Sequence, residues 1–532
     1  DNASAKSGNL NAALSHIDGD LVLLLDADHV PQQRILKETV QYFMEDPSLF
    51  LLQTPHHFIT PDPIEKNLDL FEKMPHENIM FFGAIHPGMD LWDSSYFCGS
   101  AALMRRSAID DVGGFMGQTI TEDAETALGL HRRGWKSIYL NEPLISGLQP
   151  DTFLDMVVQR MRWAQGMLQL FVLTNPFTGP GLSLPQRLCY LTAMLYWLFP
   201  VARIIYLLAP AFFILFGLRI YDASMMEIMI FAVPYLIALH VTSQFLFSRY
   251  RWGLVSSLYE NMLSFFVFGA IVSVFKNPRS PNFKVTPKNV LLSEDAVSPL
   301  VKPFFWATAL QFIVLGVGIW RFMAGNTDRS LLLVASFWLL LNITLMIANL
   351  GALLERAQRR RHPRVETAWD GTVVLEGRTI KVRALDMSMG GACCMTQLAE
   401  GSDTAIELLK FLRSGTMHGV LEVECNGLSS ISFEVTNCRL NGDEIVFSIQ
   451  FNRLSINEYR HLVRLVYGAN PSVTRKFETI YPEPPILRIL HSLVSIGVSN
   501  LWKEASLYFG QWIPSSMPQL GRLKRIFISL CP

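Results

Sequence analysis

Three regimes of hydrophobic patterning follow one another along the chain. Residues 1–185 alternate short apolar runs with polar helical stretches, as α/β sequences do. Within them Leu21–Leu25 is an apolar run that ends at Asp26 and predicts a buried parallel strand. Residues 186–352 are dominated by long apolar runs. Residues 355–470 turn polar again and predict a small β-rich domain, with alternation at Gly419–Glu424 and Ile431–Val435. A further strand, Glu444–Phe451, follows an Asn441-Gly442 hairpin signal, and Ser455 with Glu458 forms a capping box that opens a helix toward Tyr467. In the tail, residues 471–532, the apolar stretch Ile486–Leu501 has Arg488 and Lys503 nearby and predicts an amphipathic helix at a membrane interface.

The long runs lie at 188–218, 226–247, 258–275, 304–324 and 330–352. A hydrocarbon layer about 30 Å thick needs roughly 20 helical residues. The run 258–275 is shorter and begins with Tyr259-Glu260-Asn261. Arg249 and Arg251 precede it, and Lys276, Arg279, Lys284 and Lys288 follow it. Cationic flanks stay in the cytosol, so this run is expected in the interface, leaving four crossings. An even number puts both polar regions on the cytosolic face. The first run carries Pro200, Arg203 and Pro210. It reads either as a helix kinked at the prolines with Arg203 near the headgroups, or as one whose cation faces a hydrated polar pathway.

Composition agrees. Of the 532 residues, 50% are apolar and 17% charged, against about 25% charged in soluble domains, which excludes a disordered or collagen-like chain. The net charge of −1 offers no reason to expect a nucleic-acid partner. Cys98, Cys189, Cys393, Cys394, Cys425, Cys438 and Cys531 show neither a CxxC pair nor a metal-ligand spacing, and read as reduced thiols. The chain opens on Asp-Asn-Ala with its first strong strand twenty residues in, which predicts that it continues a longer protein.

Several groups of residues carry candidate chemistry. Asp26-Ala27-Asp28 directly follows the first strand, where open α/β sheets bind ligands, and two carboxylates there can hold a hard divalent cation against a diphosphate. Lys6, in Ala5-Lys6-Ser7-Gly8-Asn9, is a second candidate phosphate contact. Thr121-Glu122-Asp123 opens a helix, with Thr121 read as its N-cap, and a carboxylate so placed can also deprotonate an acceptor hydroxyl. In Gln159-Arg160-Met161-Arg162-Trp163, Arg162 can neutralise a leaving diphosphate and Trp163 offers a flat face to a sugar ring. Each of these also has an ordinary structural reading; their order and spacing together do not.

Strand–DxD, TED, QxxRW and membrane helices in that order resemble the processive family-2 glycosyltransferases. Tyr96-Phe97-Cys98-Gly99-Ser100 is similar to the FFCGS motif of bacterial cellulose synthase catalytic subunits, and Gln53-Thr54-Pro55-His56-His57 matches that subfamily too. Phe283-Lys284-Val285-Thr286-Pro287-Lys288 resembles its FxVTxK gating loop. Arg360 and Arg364 form RxxxR, and Asp386-Met387-Ser388-Met389-Gly390-Gly391 forms DxSxxG, together the signature of a PilZ domain, which binds cyclic di-GMP. The five arginines within Arg356–Arg364, Arg359 among them, have fixed charge and paired donors suited to phosphate and guanine edges.

The resemblance implies a multidomain membrane protein. Residues 1–185 would be the C-terminal part of a GT-A α/β glycosyltransferase domain. Residues 186–352 would form an α-helical transmembrane region with an interface helix and a gating loop at 276–303. Residues 355–470 would form a PilZ β-barrel. It further implies inverting transfer of glucose from UDP-glucose to a growing β-1,4-glucan, exported across the bacterial inner membrane and activated by cyclic di-GMP, with a periplasmic partner subunit. Asp123 would be the general base and Asp28 the ligand of a Mg²⁺, with Asp26 assisting. Lys6, Gln159 and Arg162 would hold diphosphate and acceptor, while Cys98 and Trp163 line the acceptor end. Phe283, Val285, Thr286 and Lys288 would belong to the gate. Arg359, Arg360, Arg364, Asp386, Ser388 and Gly391 would bind cyclic di-GMP. Asp151, eight residues before Gln159, would pair with Arg360 and tether the gate. Two other readings stay open: a synthase of another polysaccharide, such as hyaluronan, chitin or a mixed-linkage glucan, and an inactive truncated cyclic di-GMP receptor.

The chain departs from the family pattern in places. The family's earlier aspartate motif and the membrane helices before its transferase domain have no counterpart here. Glu125 stands where these enzymes usually carry histidine, and Gln165 where arginine is frequent.

Overall fold

A computed structural model describes residues 5–219, 224–279, 292–325, 328–358, 360–396, 409–410, 412, 418–424, 428–441, 444–470 and 477–512. The gate residues Phe283, Val285, Thr286 and Lys288, together with Arg359 and the turn residue Gly442, lie outside them.

In the first region, strands β1 (Leu21–Leu24), β2 (Val30–Pro31), β3 (Leu49–Gln53), β4 (Ala102–Arg105), β5 (Lys136–Tyr139) and β6 (Ile145–Ser146) alternate with helices. The main sheet has the order β1-β4-β3-β5, and β2 pairs with β6 apart from it. The expectation of a buried parallel strand at Leu21–Leu25 is corrected here: β1 ends at Leu24, is half-buried, and pairs antiparallel with β4. An apolar run shows that a strand packs on both faces but carries no information on its partner's direction. The parallel pair is β3 with β5, and β3 is buried at every position.

One buried cluster runs from Phe50, Met104 and Leu128 through Phe153 and Leu168 to Leu258, Met262 and Met346. The soluble domain and the apolar helices therefore share a core. Among the described residues, five helical segments are long and apolar enough to cross a membrane: Leu184–Phe216, Met225–Phe247, Gly253–Lys276, Lys302–Ala324 and Arg329–Ala352. The first breaks into Leu184–Leu195, a short 3-10 turn and Phe199–Phe216, with Pro200 in the first turn of the last piece. Arg203 Nε donates to Glu260 Oε2 at 2.6 Å, and a second guanidinium nitrogen donates to Ser257 Oγ at 3.1 Å. The cation is thus paired with the Gly253–Lys276 helix. That helix reaches 24 residues because it begins before the apolar run, and its Tyr259 hydroxyl donates to Asp62 Oδ2 of the soluble domain at 2.6 Å.

Strand β7 (Ala296–Val297) pairs antiparallel with β8 (Leu354–Glu355), which joins the last apolar helix to the second soluble domain. Gln358 N donates to Leu292 O at 2.8 Å and Ala357 N to Asp295 Oδ1 at 2.8 Å, so this linker is zipped to the segment that follows residues 276–291. Strands β9 (Val365–Leu375), β10 (Arg378–Ser388), β11 (Gly391–Thr396), β12 (His418–Glu424), β13 (Leu428–Asn441) and β14 (Glu444–Phe451) close a barrel in the order β10-β11-β14-β13-β12-β9. The capping box forms as expected, Ser455 N donating to Glu458 Oε2 at 2.7 Å and Glu458 N to Ser455 Oγ at 3.3 Å. Leu462, Leu465 and Val466 from the helix it opens pack into the barrel core.

The tail helix, Ile486–Trp512, docks on the C-terminal end of Arg329–Ala352. A Cβ on Gly351 would lie 2.5 Å from Gly497 Cα, so two glycines let the backbones meet. Asn500 Nδ2 donates to Gly351 O at 2.9 Å and Asn67 O at 3.1 Å, which ties helix, membrane region and soluble domain at one point.

Candidate active site and nucleotide-binding barrel

The site forms just beyond the carboxyl end of β1. Lys6, in the first turn of the Ala5–Leu14 helix, reaches Asp26 Oδ1 at 2.7 Å and donates to Gly99 O at 2.7 Å. That helix is held in place by Asn11, whose Oδ1 accepts from Phe115 N at 2.7 Å. Burial pulls the Asp26 carboxyl up, but the neighbouring Lys6 ammonium outweighs it and leaves Asp26 below the ordinary carboxylate range. Metal-ligating atoms of Asp26, Asp28 and His29 lie within 4.8 Å of one another. His29 is a residue that motif reasoning missed; its only signal is its place directly after the DxD.

Cys98, Gly99 and Ser100 form the opposite wall. Gln53 braces it: Cys98 N donates to Gln53 Oε1 at 3.0 Å, and Gln53 Nε2 donates to Ser100 O at 2.8 Å. Ser100 Oγ accepts from Asp26 N at 2.8 Å and sits 2.7 Å from His29 Nδ1, joining this wall to the acidic loop. Gly99 has a φ of +84°, and a Cβ there would lie 3.1 Å from Asp123 Oδ2 and 3.3 Å from Lys6 Nζ. The left-handed backbone and the absent side chain let a carboxylate and a cation converge on one spot. Burial also pushes the Cys98 thiol well above its usual range, with the Asp123 charge adding to it.

Asp123 belongs to the Glu122–Arg132 helix, and Ala124 N donates to its Oδ1 at 2.9 Å. Burial raises its carboxyl, against the pull of that backbone donor, Lys6 and Arg162. The adjacent Glu122 is pushed up to about 7 by burial and by the Asp123 charge. Arg162, from the Phe153–Leu173 helix, is drawn below its usual value by burial and faces Glu122, Asp123 and Asp26 electrostatically. Gln159 and Trp163 are half-buried on the same helix.

Two local expectations change. Thr121 precedes the helix, but among the described residues its side chain makes no cap hydrogen bond and its buried Oγ1 finds no partner; the hydroxyl lies against Gly166 instead. A Cβ on Gly166 would meet Thr121 Cγ2 at 2.5 Å, so this glycine brings the TED and QxxRW segments together. Glu125, the departure from histidine, accepts from Thr119 N at 2.9 Å and from Thr119 Oγ1 at 3.1 Å and holds the loop before the TED. Gln165 Nε2 donates to Ser273 Oγ of the Gly253–Lys276 helix at 3.3 Å.

In the barrel, Arg364 donates to Asp386 Oδ1 at 2.8 Å, so RxxxR and DxSxxG meet. Ser388 Oγ donates to Gly391 O at 3.1 Å and accepts from Gly390 N at 3.3 Å. Gly391 has a packing role as well: a Cβ there would lie 2.2 Å from Ile449 O across the β11–β14 pair. Arg360 is exposed. The expected Asp151–Arg360 ion pair is not among those of the described residues; Asp151 O accepts from Lys66 Nζ at 2.7 Å. An exposed pair gains only about 0–1 kcal/mol, too little to draw the linker away from its pairing with residues 292–297.

Residues 21–348 match the family described as glycosyl transferase family group 2, and residues 358–468 match the PilZ domain. Among curated proteins, the UDP-forming cellulose synthase catalytic subunit of Pseudomonas fluorescens (strain SBW25) is 34% identical over 94% of this chain and 66% of its own length. Cellulose synthase 1 of Komagataeibacter xylinus is 38% identical over 74% of this chain and 26% of its own. The UDP-forming cellulose synthase 1 catalytic subunit from the same organism is 31% identical over 98% of this chain and 68% of its own. The chain thus spans about two thirds or less of the lengths of these relatives.

Proposed function

The chain belongs to glycosyl transferase family group 2, among the cellulose synthase catalytic subunits, and carries a PilZ domain; on that premise we propose that it transfers glucose from UDP-glucose to a growing β-1,4-glucan, with inversion, and exports the chain under control of cyclic di-GMP. The observation that carries the reading is the meeting of Asp123 and Lys6 over Gly99, one residue from Cys98 and in the field of Arg162. A base, two cations for a diphosphate and a wall for an acceptor are what the reaction needs in one place.

Asp123 takes the proton from the acceptor's 4-hydroxyl. Lys6 and Arg162 balance the diphosphate, and Gln159 and Trp163 hold the acceptor. The carboxylates of Asp26 and Asp28 supply the oxygen donors that a divalent cation of the Mg²⁺ kind takes, with Asp28 as its first ligand and Asp26 shared with Lys6. Such a cation, when bound, offsets charge on the leaving diphosphate. In the barrel Arg360, Arg364, Asp386, Ser388 and Gly391, with Arg359, take cyclic di-GMP. The linker before the barrel pairs with residues 292–297, which follow the 283–288 sequence in the chain. Four helices cross the bacterial inner membrane, Gly253–Lys276 lies in the interface between its basic flanks, and a periplasmic subunit receives the polymer.

The test is incorporation of label from radioactive UDP-glucose in sealed membrane vesicles. The expected product is insoluble, digested by a β-1,4-glucanase and increased by cyclic di-GMP. A product resistant to that glucanase, or made only from an amino-sugar nucleotide, would overturn the reading. A second expectation concerns Gly166→Ala. The added methyl forces the TED helix from the QxxRW helix at an overpacking cost of about 1–3 kcal/mol. Glucose transfer is expected to fall by about tenfold or more while cyclic di-GMP affinity of the barrel stays unchanged. Equal transfer by the variant would show that this approach does not set the site's geometry.

A further inference from the structure

Arg160 is a buried cation that the roles above leave unused. It lies three residues before Trp163 and so shares a helix face with it. The residue is 8% exposed, and its Cζ sits 4.5 Å from the centroid of the Trp163 ring. One guanidinium nitrogen donates to Glu77 Oε2 and also to Asn78 Oδ1, the latter at 3.2 Å. Its Nε is buried without a hydrogen-bond partner among the described residues, so the Glu77–Asn78 contact and the ring are what hold the group.

A guanidinium taken out of water is costly unless a counter-charge meets it, and Glu77 supplies that charge. Glu77 and Asn78 come from a segment 83 and 82 residues away from Arg160, so their contact is tertiary, not a helix neighbour effect. The guanidinium lies over the indole ring, a contact for which a delocalised, weakly hydrated cation is better suited than a compact ammonium. With one face of the ring covered, only the other is left for a sugar.

We infer that Arg160, held by Glu77, is a positioning residue for Trp163: it fixes the plane of the indole on which the glucan stacks. The inference rests on the glucan reading above. Without the stack the indole gains rotamer freedom, and each sugar that docks must order it again. The effect falls on acceptor binding and on how long the chain is held, not on the nucleotide.

Arg160→Lys, Glu77→Gln and the double variant test it in the full chain, reconstituted in nanodiscs. The readouts are cellohexaose affinity, mean glucan length, UDP affinity and the thermal midpoint. Each single variant is expected to weaken cellohexaose binding by about tenfold and to shorten the glucan. UDP affinity should hold within about twofold, and the double variant should bind cellohexaose no worse than the weaker single, because the two residues act as one unit. Unchanged cellohexaose affinity, or UDP affinity and thermal midpoint falling in parallel with it, would overturn the positioning role alone. Wild-type protein that binds UDP but no cellohexaose would overturn the glucan reading, and the inference with it.

Discussion

Asp123→Asn is expected to abolish glucose transfer while UDP still binds. The substitution keeps the shape of the side chain and an oxygen for Ala124 N, and removes the negative charge together with the ability to take a proton. General-base catalysis contributes about 10²–10⁴-fold, so label incorporation should fall below about a hundredth of wild type. Incorporation above about a tenth would end the assignment. The pH profile supplies an independent check. A base acts only when ionised, and burial raises the Asp123 carboxyl above its ordinary value. Transfer should therefore decline as pH falls through a midpoint above the usual carboxylate range, and no decline is expected on the alkaline side from this group. A profile with no decline on the acid side would mean that another group takes the proton.

The second large effect concerns Asp28→Ala. In Mg²⁺ buffer the variant should lose UDP affinity by more than about tenfold, and in EDTA it should bind nearly as wild type does, because the carboxylate acts on the diphosphate through the cation. Asp26→Ala is expected to behave differently. It also frees Lys6 from the ion pair at 2.7 Å, so its loss of affinity should persist in part without metal. Titration calorimetry with UDP in the two buffers separates these outcomes. Equal losses for Asp28→Ala in both would place that carboxylate on the nucleotide itself or in support of the loop.

Much of the site was legible because its parts are local. A strand followed at once by two carboxylates, an acidic triplet opening a helix and a QxxRW run each follow from a few adjacent residues. What joins them was hidden. Lys6 meets Gly99 across 93 positions, and nothing in Ala5–Asn9 announces that contact. His29 and Ser100 were in view as letters, but the hydrogen bond that makes Ser100 a hinge between two walls is a tertiary fact. Glu125 looked like a departure from its family, and the structure gives it the ordinary task of satisfying Thr119.

From the chain's own pattern came the three regimes, the apolar helices, the strands at 418–424 and 444–451 and the Ser455 capping box. These depend on period and on neighbours within four residues, which are fixed as soon as the chain is written. The antiparallel pairing of β1 with β4, the start of the helix around 258–275 as early as Gly253 and the docking of the tail helix through Gly351 and Gly497 were settled only in three dimensions. So was the placing of Arg160 over Trp163. Periodicity says which face of an element is apolar; which partner covers that face, and which polar atoms then come within 3 Å, depends on contacts between residues far apart in sequence.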